Sequence, residues 1–247
     1  MSTASGAANR PPVALITGAA HGLGREVAAQ LAHRGHQVLV TARDADVARS
    51  AADELGENVT ALPALDIADP ASVQAVVEAI TTDPGHLDVL VNNAAAYVDW
   101  TETVTGADLD AAHRVMETNL FGAWRLTRAL LPLLRRSPAP RIVNVSSGAG
   151  SYGDTAFGLA ARGGAAASYG ISKAALNALT ATLAAELAGS GVLVNAVCPG
   201  LTATYPGAEA MGARPVVDSA AGVVWAATLP ADGPTGGFFR DAQPLAW

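Results

Sequence analysis

Lysine occurs once in this chain, at position 173, and cysteine once, at position 198. Of 15 basic Lys and Arg residues, the single lysine leaves 14 arginines, so positive charge is otherwise carried by guanidinium groups alone. One cysteine excludes an intramolecular disulfide and fits a reducing compartment, and a cytoplasmic location is expected. No basic run exceeds the Arg135-Arg136 pair and the net charge is −7, a balance that argues against nucleic acid as a partner. The longest uncharged stretch, 187–208, has the length of a membrane span. Gly189, Gly191, Asn195, Pro199 and Gly200 interrupt it, so it reads as helix end, turn, strand and loop, and a soluble protein is expected. No metal site is expected.

What is present in quantity is apolar surface and turns. Half of the 247 residues are hydrophobic, with 25 Gly and 14 Pro, enough for one large core with many connections. Residues 1–11 form a small, polar, Ala/Ser-rich stretch that reads as a flexible tail, and 12–247 as one domain. Short apolar runs at 13–17, 37–42, 59–65, 87–92, 141–145, 192–197 and 237–239 read as strands. Helical spacing falls between them, at 25–34, 44–55, 70–82, 108–134, 169–187 and 218–229. Asp69-Pro70 supplies an N-cap with proline at the first helical position. Continuous rather than alternating strands belong to a sheet covered on both faces. The expected fold is α/β, a doubly wound, mostly parallel seven-stranded sheet of Rossmann type with helices on both faces.

The first strand is followed by Gly18-x-x-x-Gly22-x-Gly24. Glycines here let backbone approach a ligand, while the helix N-terminus offers free N–H groups to an anion such as a pyrophosphate. The second strand ends Thr41-Ala42-Arg43, with no carboxylate before Asp44. An acidic residue at that point would bind a ribose 2′-hydroxyl, whereas Arg43, with His21 as a second donor, favours the 2′-phosphate of NADP(H). NAD(H) is the alternative. Asp66, after the third strand, is placed to meet an adenine amino group or to close a turn.

Lys173 follows Tyr169 by four residues in a strongly helical stretch, so phenol and ammonium share a face. Around them in chain order stand Asn92-Asn93-Ala94-Ala95 after the fourth strand, Asn119 in the middle helix, and Ser146-Ser147 after the fifth strand. Together with Thr17-Gly18 and the glycine turn, this ordered set resembles the short-chain dehydrogenase/reductase family over nearly the whole chain. The Val-Thr-Ala-Arg strand end and the stretch 233–241 look most like its carbonyl-reductase-like members.

Reducing a carbonyl by hydride leaves an alkoxide that needs a proton and hydrogen-bond donors. A free tyrosine, with a pKa of about 10, is a poor acid near neutrality, and a nearby cation is expected to draw that value down. The resemblance implies Tyr169 as proton donor, Lys173 as its modulator and ribose ligand, Ser147 as the group orienting the carbonyl, and Asn119 as part of a proton relay. Ser146, pointing to the other face of the strand, is left a structural hydroxyl. Cofactor contacts are implied for Gly18, Ala20, His21, Gly22, Leu23, Gly24, Arg43, Asp66, Ile67, Asn93, Ala94, Ala95, Tyr169, Lys173, Pro199, Gly200, Thr202 and Thr204. The activity implied is NADPH-dependent reduction of an aldehyde or ketone, reversible as an alcohol dehydrogenase. Alternatives are an NAD(H)-preferring alcohol dehydrogenase, a non-catalytic cofactor-sensing protein, or a methyltransferase on a similar sheet.

Two departures stand out. Ala95 replaces the glycine of the family's Asn-Asn-Ala-Gly, and 151–168 is an insertion between Ser147 and Tyr169, with Tyr152 or Phe157 as candidates to line the substrate mouth. Residues 201–214 would form a short substrate lid. Homo-oligomer formation through the Tyr169 helix is implied by the family and put in question by the insertion beside it. Cys198 reads as a buried strand-end thiol.

Overall fold

The computed structural model describes residues 10–247, so most of the expected N-terminal tail lies outside the described residues. Eight strands form one sheet in the order β3-β2-β1-β4-β5-β6-β7-β8. They are β1 (Val13–Ile16), β2 (Gln37–Val40), β3 (Val59–Ala61), β4 (Val89–Asn92), β5 (Arg141–Val145), β6 (Leu193–Val197), β7 (Phe238–Arg240) and β8 (Gln243–Pro244). All pairings are parallel except β7 with β8.

Alternate residues of each strand enter opposite cores. Leu15, Leu39, Leu90, Ile142 and Val194 pack with α3 (Pro70–Thr82), α5 (Ala123–Leu134) and α6 (Ala167–Glu186). Ile16, Val40, Val91, Val145 and Val197 pack with α1 (Gly22–His33), α2 (Ala45–Leu55) and α7 (Val216–Ala227). Each fully buried aliphatic side chain contributes roughly 1.5–3 kcal/mol of transfer free energy, and covering both faces explains why the strands read as continuous apolar runs. Helix starts follow side-chain chemistry. Asp44 and Asp108 each accept one N–H of the first turn, and Asp69 accepts two beside Pro70.

Besides a third strand that ends at Ala61 rather than 65, three features depart from the sequence expectation. The helix expected over 108–134 is divided into α4 (Leu109–Met116), a π-helical turn at Glu117–Gly122, and α5. At Gly122 a Cβ would stand 2.7 Å from Ile67 Cγ1, so the chain there leaves no room for a side chain. Such turns recur at functional sites, and this one contains Asn119. The sheet has eight strands rather than seven. Its last hairpin turns through Asp241 and Ala242, both with φ in the left-handed region (54° and 59°), as a primed turn requires. Without Asn-Gly or Gly at that turn, no sequence signal marked the hairpin. Finally, α1 begins at Gly22 and α6 at Ala167, each two or three residues earlier than the apolar spacing indicated.

Candidate active site

Strand order reverses between β1 and β4, and a crevice opens where the connections from neighbouring strands part. The resulting cleft has a volume of about 1860 Å³. Every cofactor contact expected from the sequence borders it, as do Ser147, Tyr169 and Lys173; Asn119 does not.

The first turn is held from the β4 side. Asn93 Nδ2 donates to the carbonyls of Thr17 (2.8 Å) and Gly18 (3.1 Å), while the Asn93 and Ala94 N–H groups donate to Thr17 Oγ1 at 3.0 and 2.9 Å. Gly18 takes φ +63°, and a Cβ on Gly24 would lie 2.5 Å from both Asn93 Nδ2 and the Gly18 oxygen. Glycine is therefore required at both positions. His21 precedes α1 in extended conformation and makes no side-chain cap bond, which leaves the helix N-terminus uncapped by side chains. A cradle without Cβ atoms under an uncapped helix end fits a dinucleotide pyrophosphate. Arg43 is exposed at the cleft and forms no ion pair among the described residues, whereas Asp44 is committed as the α2 cap. Asp66 Oδ1 accepts the Ala68 N–H at 2.9 Å, so its turn role is present, with the side chain still exposed at the rim. Ile67 is buried and its carbonyl accepts from Arg125 at 2.7 Å.

On the opposite side, the Thr202 hydroxyl donates to the Gly200 carbonyl (3.2 Å) and meets Ser219 Oγ (3.0 Å), so it braces the loop. Thr204 is exposed and its methyl approaches Gly22. Arg214 closes the base of 201–214 by donating to the Pro199 carbonyl at 2.9 and 2.6 Å and pairing with Asp241.

Ser147 leaves β5 into the cleft, and Tyr169 lies in the first turn of α6 with Lys173 one turn on. Lys173 is 2% exposed; its Nζ donates to the Val145 carbonyl at 2.8 Å and lies 5.7 Å from the Tyr169 ring centre. Burial pushes the Tyr169 phenol well above its ordinary value, the neighbouring Tyr97 and Cys198 add to this, and only the Ser147 hydroxyl draws it down. The same burial lowers Lys173 to about 8. The Tyr169 phenol is thus shifted opposite to the lowering expected from the sequence, with burial the largest cause. The charge of Lys173 is disfavoured by the shared burial, and the Val145 carbonyl takes one of its three N–H donors. Ser146 also borders the cleft, but its hydroxyl donates to Asn177 Oδ1 at 2.6 Å.

Asn119 is fully engaged one layer behind. Its Nδ2 donates to the Ala96 carbonyl and Ser172 Oγ, both at 2.9 Å, and its Oδ1 accepts the Ala96 N–H at 2.7 Å. Asn119 thereby ties the backbone of Ala96, in the stretch after β4, to Ser172 of α6. Beneath the site, Asn92 donates to Thr127 and Asn144, and Asn144 donates to Thr180, a buried ladder tying β4 and β5 to α5 and α6. Of the insertion residues, Phe157 borders the cleft and Tyr152 does not.

Several neighbours of the site escaped sequence reasoning. Tyr97 stacks on the Tyr169 ring, Trp100 meets it edge-on, and Glu102 accepts from Ser168 at the start of α6. Two aromatic residues soon after Asn92-Asn93, in a chain only 5% aromatic, were the available signal. Arg240 approaches the buried Cys198 Sγ at 3.4 Å, where the Gly148 N–H also points (3.1 Å); nothing in the sequence linked them. Among the described residues no His/Cys/Asp/Glu cluster suits a metal ion, and no helix is long and apolar enough to cross a membrane.

The sequence profile of the short chain dehydrogenases matches residues 12–211. Over 192 residues the chain is 36% identical to the 3-oxoacyl-(acyl-carrier-protein) reductase FabG of Vibrio cholerae, a match covering 78% of this chain and 74% of that one. The 3-ketoacyl-(acyl-carrier-protein) reductase of Brucella melitensis, solved with NADH, aligns at TM-score 0.81 and 28% identity over 94% of this chain and 96% of that one. NADPH-bound carbonyl reductase from chicken fatty liver aligns at TM-score 0.81 and 25% identity over 97% and 100%. A profile match over most of the chain, on a sheet whose glycine turn and Tyr169-Lys173 pair meet at one cleft, makes this protein a member of the short-chain dehydrogenase/reductase family and an oxidoreductase.

Proposed function

We infer that the protein reduces an aldehyde or ketone to an alcohol, reversibly, with NADPH preferred over NADH. The observation that carries this reading is geometric: Ser147, Tyr169 and Lys173 border one cleft together with the glycine turn. A reduced nicotinamide dinucleotide supplies the hydride when bound. Ser147 donates a hydrogen bond to the carbonyl oxygen and orients it. As negative charge grows on that oxygen, Tyr169 transfers its phenolic proton to it, completing the alcohol. Lys173, drawn down to about 8, exchanges a proton far more readily than a free lysine and is the group that restores the phenol. Asn119 acts at one remove, by holding Ala96.

NADPH preference rests on Arg43, a guanidinium at the cleft with no ion pair among the described residues, beside an Asp44 already used as a helix cap. Likeness to 3-oxoacyl-(acyl-carrier-protein) reductases supports a second reading in which the ketone is a carrier-bound 3-oxoacyl thioester.

The test follows NADPH and NADH oxidation separately over aldehydes, ketones and 3-oxoacyl thioesters. Cofactor binding without turnover of any of them would leave a cofactor-sensing protein. Arg43→Asp is expected to raise the KM for NADPH roughly 10- to 100-fold, the worth of one charge-assisted hydrogen bond, with little change for NADH. Equal effects on both cofactors would remove Arg43 from the 2′-phosphate site.

A further inference from the structure

The chain has four Trp, four Tyr and four Phe residues, twelve aromatic side chains in all. Five of them, Tyr97, Trp100, Phe157, Tyr169 and Tyr205, border the one cleft. Tyr97 and Trp100 do so while leaving 63% and 51% of their surface exposed. They are not loosely held. Ala96, just before Tyr97, is bonded through both its N–H and its carbonyl to Asn119. Asp99 closes a turn onto the N–H of Thr101 at 2.8 Å and its hydroxyl at 2.6 Å. Just after Trp100, Glu102 accepts from the Ser168 N–H (2.8 Å) and hydroxyl (2.6 Å), and its carbonyl accepts the Ala167 N–H.

Between these anchors the two rings lie against the catalytic tyrosine. The Tyr97 ring stacks on Tyr169 at 5.3 Å and 22°, and Trp100 meets it edge-on at 5.5 Å and 75°. Rings fixed in place offer stacking area at little further entropic cost. Flat conjugated rings gain an offset-stacking term there that saturated chains of equal size do not.

We propose that Tyr97 and Trp100 form a preorganised aromatic shelf that selects planar, uncharged aromatic ketones as substrates, with Phe157 and Tyr205 also bordering the same cleft. The selection rests on the carbonyl-reducing reading above. It adds a substrate class to it: the conjugated ring lies on the shelf and its carbonyl reaches Ser147 and Tyr169.

A matched pair isolates the effect: 2-acetylnaphthalene and its fully saturated decahydro analogue, compared by kcat/KM with NADPH. Intrinsic reactivity differs between the two, so the readout is the change in their ratio between wild type and the Tyr97→Leu/Trp100→Leu double variant. Leucine retains apolar area and removes the π-face. The aromatic-to-saturated ratio is expected to fall about tenfold, through a raised KM for the aromatic ketone. Trp100→Phe alone should preserve most of it. An unchanged ratio in a double variant with wild-type circular dichroism overturns the shelf. Failure of the reductase reading is separable by equilibrium dialysis of 2-acetylnaphthalene in the presence of NADP. Binding lost in the double variant, with neither ketone reduced by wild type, keeps the shelf and discards the reductase. Equal binding by both proteins discards the shelf.

Discussion

At position 173 a long cationic side chain is buried against a backbone carbonyl, and the single Nζ–Val145 contact suits a compact ammonium. A guanidinium spreads its charge over a planar fork that would not fit a point contact between Val145 and the Tyr169 ring. Lys173→Arg is therefore expected to lower kcat at least 100-fold, and near-normal turnover would refute the role given to the ammonium. Its pH behaviour follows from the direction of the shift. Below about 8 lysine is protonated in both folded and unfolded chains, and the cost of burying the charge is fully present. Between about 8 and its ordinary value of 10.5 the unfolded chain binds more protons, so stability rises with pH. Urea denaturation from about pH 7 to about 9, before tyrosines ionise, should show that rise in wild type and lose it in Lys173→Met. Carbonyl reduction should decline over the same range as Lys173 loses its proton.

The catalytic helix shows what an element needs beyond its own sequence. Helix α6 begins after Ala166, which has φ 54° and no side chain able to cap. Its first N–H groups are served from elsewhere, by the Glu102 carboxylate and carbonyl. An anion at a helix N-terminus also meets the favourable end of the dipole. Since Tyr169 is the next residue after Ser168, this remote cap fixes the start of the turn that aims the phenol. Glu102→Gln is expected to cost about 0.5–2 kcal/mol and to lower Tm by a few degrees. It should raise KM more than the Tm change alone explains, because the shelf loses one anchor. Thermal denaturation and steady-state kinetics on the same samples would separate the two effects.

Across the whole molecule, the insertion is tied to the C-terminal hairpin. Asp154 is 5% exposed at its side chain and pairs with Arg240 at 2.6 Å, Ser151 Oγ donates to the Ala246 carbonyl, and the Tyr152 and Gly153 N–H groups donate to the Trp247 carbonyl. Burial alone would raise the Asp154 carboxyl, but the Arg240 hydrogen bond with the Phe157 and Ala156 N–H groups holds it below the ordinary value. Its contribution is thus present above the ordinary carboxylate range and lost as pH falls through the depressed value. Asp154→Asn is expected to lose about 1.5–3 kcal/mol and to speed amide exchange across 151–166, including Phe157 at the cleft. Unchanged exchange there would show that the insertion holds itself.

The parallel sheet and the glycine turn could be read in the chain because each depends on local rules, whereas the set Asn119, Ser147, Tyr169 and Lys173 is picked out by the family resemblance. Those rules are apolar runs between helical spacings, glycines where a Cβ cannot fit, and hydroxyls at strand ends. Strand alternation left one of Ser146 and Ser147 to structure, and the resemblance assigned that part to Ser146, whose hydroxyl donates to Asn177. Other features depend on partners distant in sequence. Ile67 leaves no room for a side chain at Gly122, the last residue of the π-helical turn, and the α6 cap comes from Glu102, 66 residues before Ser168. The last hairpin uses left-handed Asp241 and Ala242 with no glycine to announce it. The tyrosine–lysine pair was visible from a spacing of four. Which way their proton affinities move was decided by burial, a property of the folded cleft rather than of the pair.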